Sequence, residues 1–479
     1  MKQRTTFILP SPDPTNPDNL HLSSTSLSLR SLPPSTARED RYTFARDELP
    51  FALRFVMIDY PAIYIHWASG RQYKPVDPYA ARVPAGFHIF VPWALGSEST
   101  PNHVFGNHYG LEEEFTEIPG GNQFYQPMKS VMPLTEMVAK VACKSEKEEC
   151  VDKFRRVVDG ADYIGVEYNE EANTVTVSVF YGGSEEVGDG GGVEITKESG
   201  EEKVEVGLLM HEKPMGDESF TLGGQVHVIG TEKINPVLFT FPSRHHTHPT
   251  TFTTHLPSPT GLHPTLHLTL TAPNPTPHDS CTLHTYLTIP HSLFPDQYQL
   301  STSNPHLLSS LNLTRIVYLS GETDLEAPTW TTRFWGSTLL LELTPTATSF
   351  ALPLHLRYLP PAPENRTSET IDFPVPVVFW ACNTTVHNEE ERGGVNPFER
   401  RKLGWEEHFE DKTVFHYLAP ENGGWVQVGA PVLDLRSAEI VKWGTVVVIF
   451  SGFVWVLEKV MTALVGARRG SEGEEKKRQ

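Results

Sequence analysis

The stretch STLLLELTPTATSFALPLHLRY, residues 337–358, decides how the rest of the chain is read. In its second half Phe350, Leu352, Leu354, Leu356 and Tyr358 fall on alternate positions, the period-two mark of a strand with one face against a core. That register sends Tyr358 into the core. The run Thr-Pro-Thr-Ala-Thr at 344–348 interrupts the pattern, so 337–343 and 350–358 read as the two arms of a hairpin. Leu266, Leu268 and Leu270 alternate in the same way, and 260–385 is the most regularly patterned part of the chain. It reads as a compact β-sandwich.

Composition widens this reading to the whole molecule. The chain has 479 residues, 38% hydrophobic and 20% charged, enough for two or three packed domains. Forty prolines against 35 glycines, with many Ser and Thr, favour short strands and turns over helical bundles. The fold class expected is mainly β: one or more sandwich-like ectodomains followed by a single C-terminal transmembrane helix. A formal charge of -20 argues against a phosphate-binding surface and so against nucleic acid as a partner.

The expected domain order runs as follows. Residues 1–45, rich in Ser, Thr and Pro, form a loosely ordered lead-in, and the Pro-broken MKQRTTFILPSPDPTNPD does not resemble a cleavable signal peptide. Residues 46–235 form an N-terminal β-rich domain, in which 174–179 alternates cleanly and 133–158 holds one helix. The Gly/Glu stretch 182–203 is a flexible loop within it. Residues 236–390 are the sandwich core, 391–438 a juxtamembrane segment, 439–467 the membrane helix and 468–479 a cytosolic tail. The His/Thr/Pro patch at 243–259, with His245, His246 and His248, reads as a low-complexity surface loop, because cysteine or acidic partners at metal-ligand spacing are missing.

The membrane reading rests on the apolar run 443–457, followed by Glu458-Lys459 and a second apolar stretch. A bilayer core of about 30 Å needs roughly 20 helical residues, so the span must continue past Glu458. That glutamate is expected to pair with Lys459 and snorkel to the headgroups, or to face a polar partner. Basic residues are sparse before the run and frequent after it, which places the C-terminus in the cytosol and the bulk in the lumen. Lys476 and Lys477 then stand where a retrieval signal to the endoplasmic reticulum is read.

A lumenal bulk makes two further readings testable. Cys143, Cys150, Cys281 and Cys382 allow three full pairings, among them Cys143–Cys150 as a local loop with Cys281–Cys382 as a longer staple, or free buried thiols. Asn312, Asn365 and Asn383 each open an N-x-S/T sequon.

Catalytic signatures are lacking in the sequence. There is no Asp-x-Asp, no Gly-x-Ser-x-Gly elbow, no His-Glu-x-x-His and no phosphate loop. The acid runs 112–114 and 389–391 point in divergent directions, as solvated surface does. The chain is expected to be non-catalytic, with no cofactor and no metal.

Several stretches in order resemble the PIG-X family: GLHPTLHLTL (261–270), CTLHTYLTIPHSLFPDQYQL (281–300), TDLEAPTW (323–330), LHLRYLPPA (354–362) and FPVPVVFWAC (373–382). Upstream, DPYAARVPAGFHIFVPW (77–93) is similar to the N-terminal segment of fungal members. The resemblance implies a stabilising subunit of GPI mannosyltransferase I in the endoplasmic reticulum. Its partner would be a multispan PIG-M-type enzyme that adds the first α-1,4-mannose to glucosaminyl-phosphatidylinositol. Under this reading Glu458 and Lys459 are candidate contacts in or near the membrane, and Arg357 and Tyr358 candidate contacts in the lumen. Two other functions fit the residues, a lumenal chaperone for other clients and a tail-anchored cytosolic adaptor.

Overall fold

The computed structural model describes all residues except 11–19, 34, 59, 94–100, 110, 143–147, 184–191, 198–202, 214–218, 232–233, 259–260, 272–274, 364–365, 384–395 and 476–479. Two large β-sheets carry the architecture, as a mainly β reading requires.

The first sheet has eleven strands. Its order is Ile234–Pro242, Ser219–Val228, Lys203–His211, Lys2–Leu9, Ala37–Ala45, Thr174–Tyr181, Tyr163–Asn169, Ala62–Ala68, Gly86–Pro92, Gly121–Gln126 and Thr116–Ile118. The expected loose lead-in is therefore corrected. Lys2–Leu9 runs parallel to Lys203–His211 on one side and antiparallel to Ala37–Ala45 on the other, with Phe7, Ile8 and Leu9 buried. Its polar residues are held as well: Thr5 donates to Asp40 over 2.7 Å, and Arg38 pairs with Asp40 at 2.6 Å. Buried polar groups with partners forfeit little, so a Thr-rich strand can sit mid-sheet.

Two helices, Met132–Ala142 and Glu148–Val158, replace the single helix expected over 133–158. Within the expected Gly/Glu loop, Val193–Thr196 forms a strand against Ser26–Leu29, burying Ile195 on Leu27 and Leu29. The remainder of that stretch lies largely outside the described residues.

The second sheet has eight strands in the order Leu313–Gly321, Gly336–Leu343, Cys281–Pro290, Val377–Asn383, Thr413–Pro420, His245–His255, Thr265–Leu270 and Ser349–Pro353. The expected hairpin does not form. Both edges of Gly336–Leu343 are taken, by Cys281–Pro290 and by Leu313–Gly321, so the next strand has no edge to join and pairs with Thr265–Leu270 instead. Leu339, Leu341 and Leu343 nevertheless share one core with Phe350, Leu352, Leu354 and Leu356. The link at 344–348 thus crosses between two faces of a sheet that folds over on itself, which is the sandwich-like element.

Two other expectations are overturned here. The His/Thr/Pro patch is an eleven-residue strand, His245–His255, in which Thr250, Phe252 and Thr254 alternate into the core. Threonine suits a pleated surface, and the sheet supplies partners on both sides. The stretch expected as juxtamembrane supplies Thr413–Pro420, an interior strand of the same sheet, and Trp425–Pro431, which pairs with Ser368–Pro374.

The sheets meet along a buried seam. Trp335 donates its indole N–H to Thr116 Oγ1 (3.1 Å) and the Gln123 carbonyl (3.0 Å), and Thr338 Oγ1 donates to Gln123 Oε1. Trp335 packs among Phe87, Phe124 and Tyr125 of the first sheet although its own strand neighbours belong to the second. A side chain of that size, fully desolvated and hydrogen-bonded, ties the two cores into one body.

Candidate membrane anchor and contact residues

The chain leaves the two-stranded sheet of Ser368–Pro374 and Trp425–Pro431 at Pro431 and enters the helix Leu435–Glu475. Its segment Leu435–Leu464 is 30 residues long, apolar, and not buried by any part of the protein. Among the described residues it is the one helix long and apolar enough to cross a membrane. Its hydroxyls are satisfied within the helix: Thr445 donates to the Val441 carbonyl (2.8 Å), Ser451 to Val447 (2.7 Å) and Thr462 to Glu458 (2.7 Å). Such back-bonding to the carbonyl four residues earlier lets these hydroxyls face lipid without water.

Glu458 and Lys459 lie exposed on this helix. They form no ion pair with one another, which corrects that part of the expectation. Neighbours in sequence stand about 100° apart around a helix and do not face each other. Glu458 lies 15 residues beyond Trp443, or about 22 Å along the axis. In a core of about 30 Å that is deep, in the far third.

Arg357 and Tyr358 take opposite environments. Arg357 is 3% exposed and lies over the Phe294 ring, 4.4 Å from its centroid. Its guanidinium donates to the carbonyls of Asp324, Ala327 (2.8 Å) and Glu322 (3.3 Å), so it braces the 322–327 loop. Desolvation pulls its pKa below the usual guanidinium value, and nearby Glu322 and Asp324 oppose that. Tyr358, by contrast, is 64% exposed. The core position expected for it is overturned because the alternation stays in phase only through Leu356, the last residue paired with Leu293–Phe294, and Tyr358 lies beyond that pairing.

The histidines of 245–248 have structural partners. His245 Nδ1 lies 2.8 Å from the Tyr417 hydroxyl and its Nε2 lies 3.3 Å from Glu406. His246 donates to the Ser243 carbonyl and His248 to that of Pro275. Among the described residues no three His, Cys, Asp or Glu side chains converge as a metal set.

Cys281 and Cys382 face each other across adjacent strands and are disulfide-bonded. Cys143 lies outside the described residues, as do Asn365, Lys476 and Lys477. Of the other sequons, Asn312 adopts a left-handed backbone (φ 60°) and donates its amide to the Ser349 carbonyl at 2.7 Å. Asn383 is exposed at the end of Val377–Asn383.

Residues 259–461 match the family model described as PIG-X / PBN1. The chain is 35% identical to "Protein pbn1" of Emericella nidulans over 96% of this chain and 95% of that protein. With "Protein pbn1" of Aspergillus fumigatus it shares 36% identity over 100% and 98%. The chain belongs to the PIG-X/PBN1 family. Membership supports a role in GPI-anchor biosynthesis, and the family's names point to an accessory protein. With the single apolar helix it also supports residence in the endoplasmic reticulum membrane.

The family match begins just after His245–His255 and runs through the second sheet into the helix. The relatives extend over the first sheet too, consistent with the Trp335 seam that makes both sheets one body. Sequence reasoning missed Trp330, 60% exposed, and the loop that Arg357 braces. The signal lay in Thr-Asp-Leu-Glu-Ala-Pro-Thr-Trp (323–330), a turn-rich stretch ending in an aromatic residue.

Proposed function

We propose that this chain is a non-catalytic stabilising subunit of GPI mannosyltransferase I, required for transfer of the first α-1,4-mannose to glucosaminyl-phosphatidylinositol. Membership of the PIG-X/PBN1 family over nearly the whole length carries the reading. The catalytic acids belong to a multispan PIG-M-type partner. This chain holds that partner at two places, a folded ectodomain and a membrane helix, and two linked contacts gain from effective concentration.

The ectodomain is lumenal and the C-terminus cytosolic. The charge asymmetry around the helix supports this orientation, and so does a disulfide closing two strands, since such bonds persist in oxidising compartments. Asn312, Asn365 and Asn383 are the glycan candidates, and Lys476-Lys477 the retrieval signal. Glu458 and Lys459 are the membrane contacts with the partner.

The decisive experiment is depletion of the protein in cells labelled with inositol. Accumulation of unmannosylated glucosaminyl-phosphatidylinositol is expected. A normal lipid profile would refute the reading.

A further inference from the structure

Three segments meet where the chain passes from the sheet into the helix. The Ala362 amide donates to the Leu433 carbonyl (3.0 Å), and the Leu435 amide donates to the Ala362 carbonyl (3.2 Å). Four residues before Ala362, the Tyr358 carbonyl accepts from both the amide and the hydroxyl of Thr329. These bonds bring Trp330, Tyr358, Leu433 and Leu435 to one end of the molecule, and all four are exposed. Four residues of chain span at most about 14 Å, so Tyr358 lies within that reach of Ala362, which is bonded to the helix start, and Trp330 adjoins the Thr329 bonded to Tyr358.

This clustering is unusual for a surface left to water. Trp and Tyr concentrate where one end of the ring meets lipid and the other meets water. Arg357 explains how the patch keeps its shape: buried on Phe294, it holds the carbonyls of Asp324 and Ala327 and so fixes the loop that ends in Trp330. The same loop carries Glu322, Asp324 and Glu326, so an anionic lipid surface would be repelled.

We infer that Trp330, Tyr358, Leu433 and Leu435 rest in the interface of a zwitterionic membrane, giving the ectodomain a second lipid contact beside its span. The inference rests on the reading of Leu435–Leu464 as a membrane helix. Continuity commits the patch to lipid, because Leu435 is both a member of the patch and the first residue of that helix. The contact fixes the tilt of the ectodomain on the bilayer at a second place besides the helix exit. Arg357 is the positioning residue.

The test uses the full chain in phosphatidylcholine vesicles containing lipids brominated near the headgroup. Tryptophan quenching is compared among the wild-type protein, Trp330→Phe and Trp443→Phe. Loss of a quenched, blue-shifted component in Trp330→Phe is expected, with the same loss when Arg357→Met frees the loop. Adding phosphatidylserine is expected to weaken the Trp330 component. If Trp443→Phe loses quenching while Trp330→Phe does not, the patch is overturned and the span stands. If neither substitution changes the quenching, the membrane helix reading fails and the patch with it.

Discussion

Gln123 and Tyr286, 163 positions apart in sequence, share a buried hydrogen bond in which the Gln123 amide donates to the Tyr286 hydroxyl over 2.9 Å. Gln123 belongs to the first sheet and Tyr286 to the second, so this bond crosses the seam that Trp335 fills. Tyr286 is fully buried, and desolvation pushes its phenol well above the ordinary range. The hydroxyl therefore stays neutral and can serve both as donor and as acceptor.

Tyr286→Phe leaves the Gln123 amide buried with a donor unmet. The expected loss is about 1–3 kcal/mol, the desolvation of one polar group. Chemical denaturation of the detergent-solubilised full chain reads it directly. Combining it with Gln123→Met should cost less than the sum of the two single changes, because both remove the same contact. Strict additivity would show that the seam does not depend on this pair.

Removing the disulfide acts on the unfolded chain. Cys281 and Cys382 are separated by 101 residues, and a cross-link closing a loop of that size is worth about 4.7 kcal/mol in the loop-entropy account. The double substitution Cys281→Ser with Cys382→Ser is expected to lower the denaturation midpoint and the level of folded protein in cells. A wild-type midpoint in the double variant would mean that the bond is not formed in the cell.

How much of this was legible from sequence follows from where the information lies. The alternation in 260–270 and 350–356 is local, and it gave the strands and their buried faces. Pairing partners are not local. Lys2–Leu9 joins a strand 201 positions away, and nothing in its polar first half signals a central position until Asp40 and Lys203–His211 are in place. The hairpin at 337–358 failed for a related reason, since only the positions of Cys281–Pro290 and Leu313–Gly321 reveal that both edges are occupied. His245–His255 misled through composition: its histidines suggested a polar loop, while the Thr-Phe-Thr alternation behind them was the better guide. Of the contact candidates, the membrane pair was visible as charge within an apolar run. Arg357 and Tyr358 exchanged expected environments because pairing ends at His355–Leu356, and beyond it Arg357 turns inward onto Phe294 while Tyr358 is left outside.

Buried histidines set the acid limit. Desolvation holds His66 at about 4 and His88 at about 3, against an ordinary value of 6.5. His88 is fixed as a donor to the Pro84 carbonyl (2.8 Å), and His66 lies 2.6 Å from the Tyr163 hydroxyl. Between pH 6.5 and 4 the unfolded chain takes up protons that the folded chain refuses. Their contribution is complete above 6.5 and falls with pH, by about 1.4 kcal/mol per pH unit for each group at most. Asp77, raised to about 6 by burial, works in the opposite sense, adding stability that is lost as pH rises through 6. Two or more histidines outweigh one aspartate, so the urea midpoint is expected to drop between pH 6.5 and 5. A flat profile over that window would show that these imidazoles are hydrated in the folded protein.

Glu458 offers the sharpest test of the proposed partnership. It lies on the exposed helix, about 22 Å beyond Trp443, with Lys459 turned away from it. A carboxylate at that depth either reaches the cytosolic headgroups or finds a polar group on another helix. Interhelical polar contacts in membranes contribute about 0.6–1.7 kcal/mol, which corresponds to about three-fold to about eighteen-fold in association. Glu458→Lys is therefore expected to reduce co-purification with the mannosyltransferase by that factor. Glu439→Lys, which changes an exposed charge before the apolar run, supplies the control and should leave recovery unchanged. Equal recovery of both variants would assign Glu458 to the headgroups, and would leave the ectodomain as the surface that holds the enzyme.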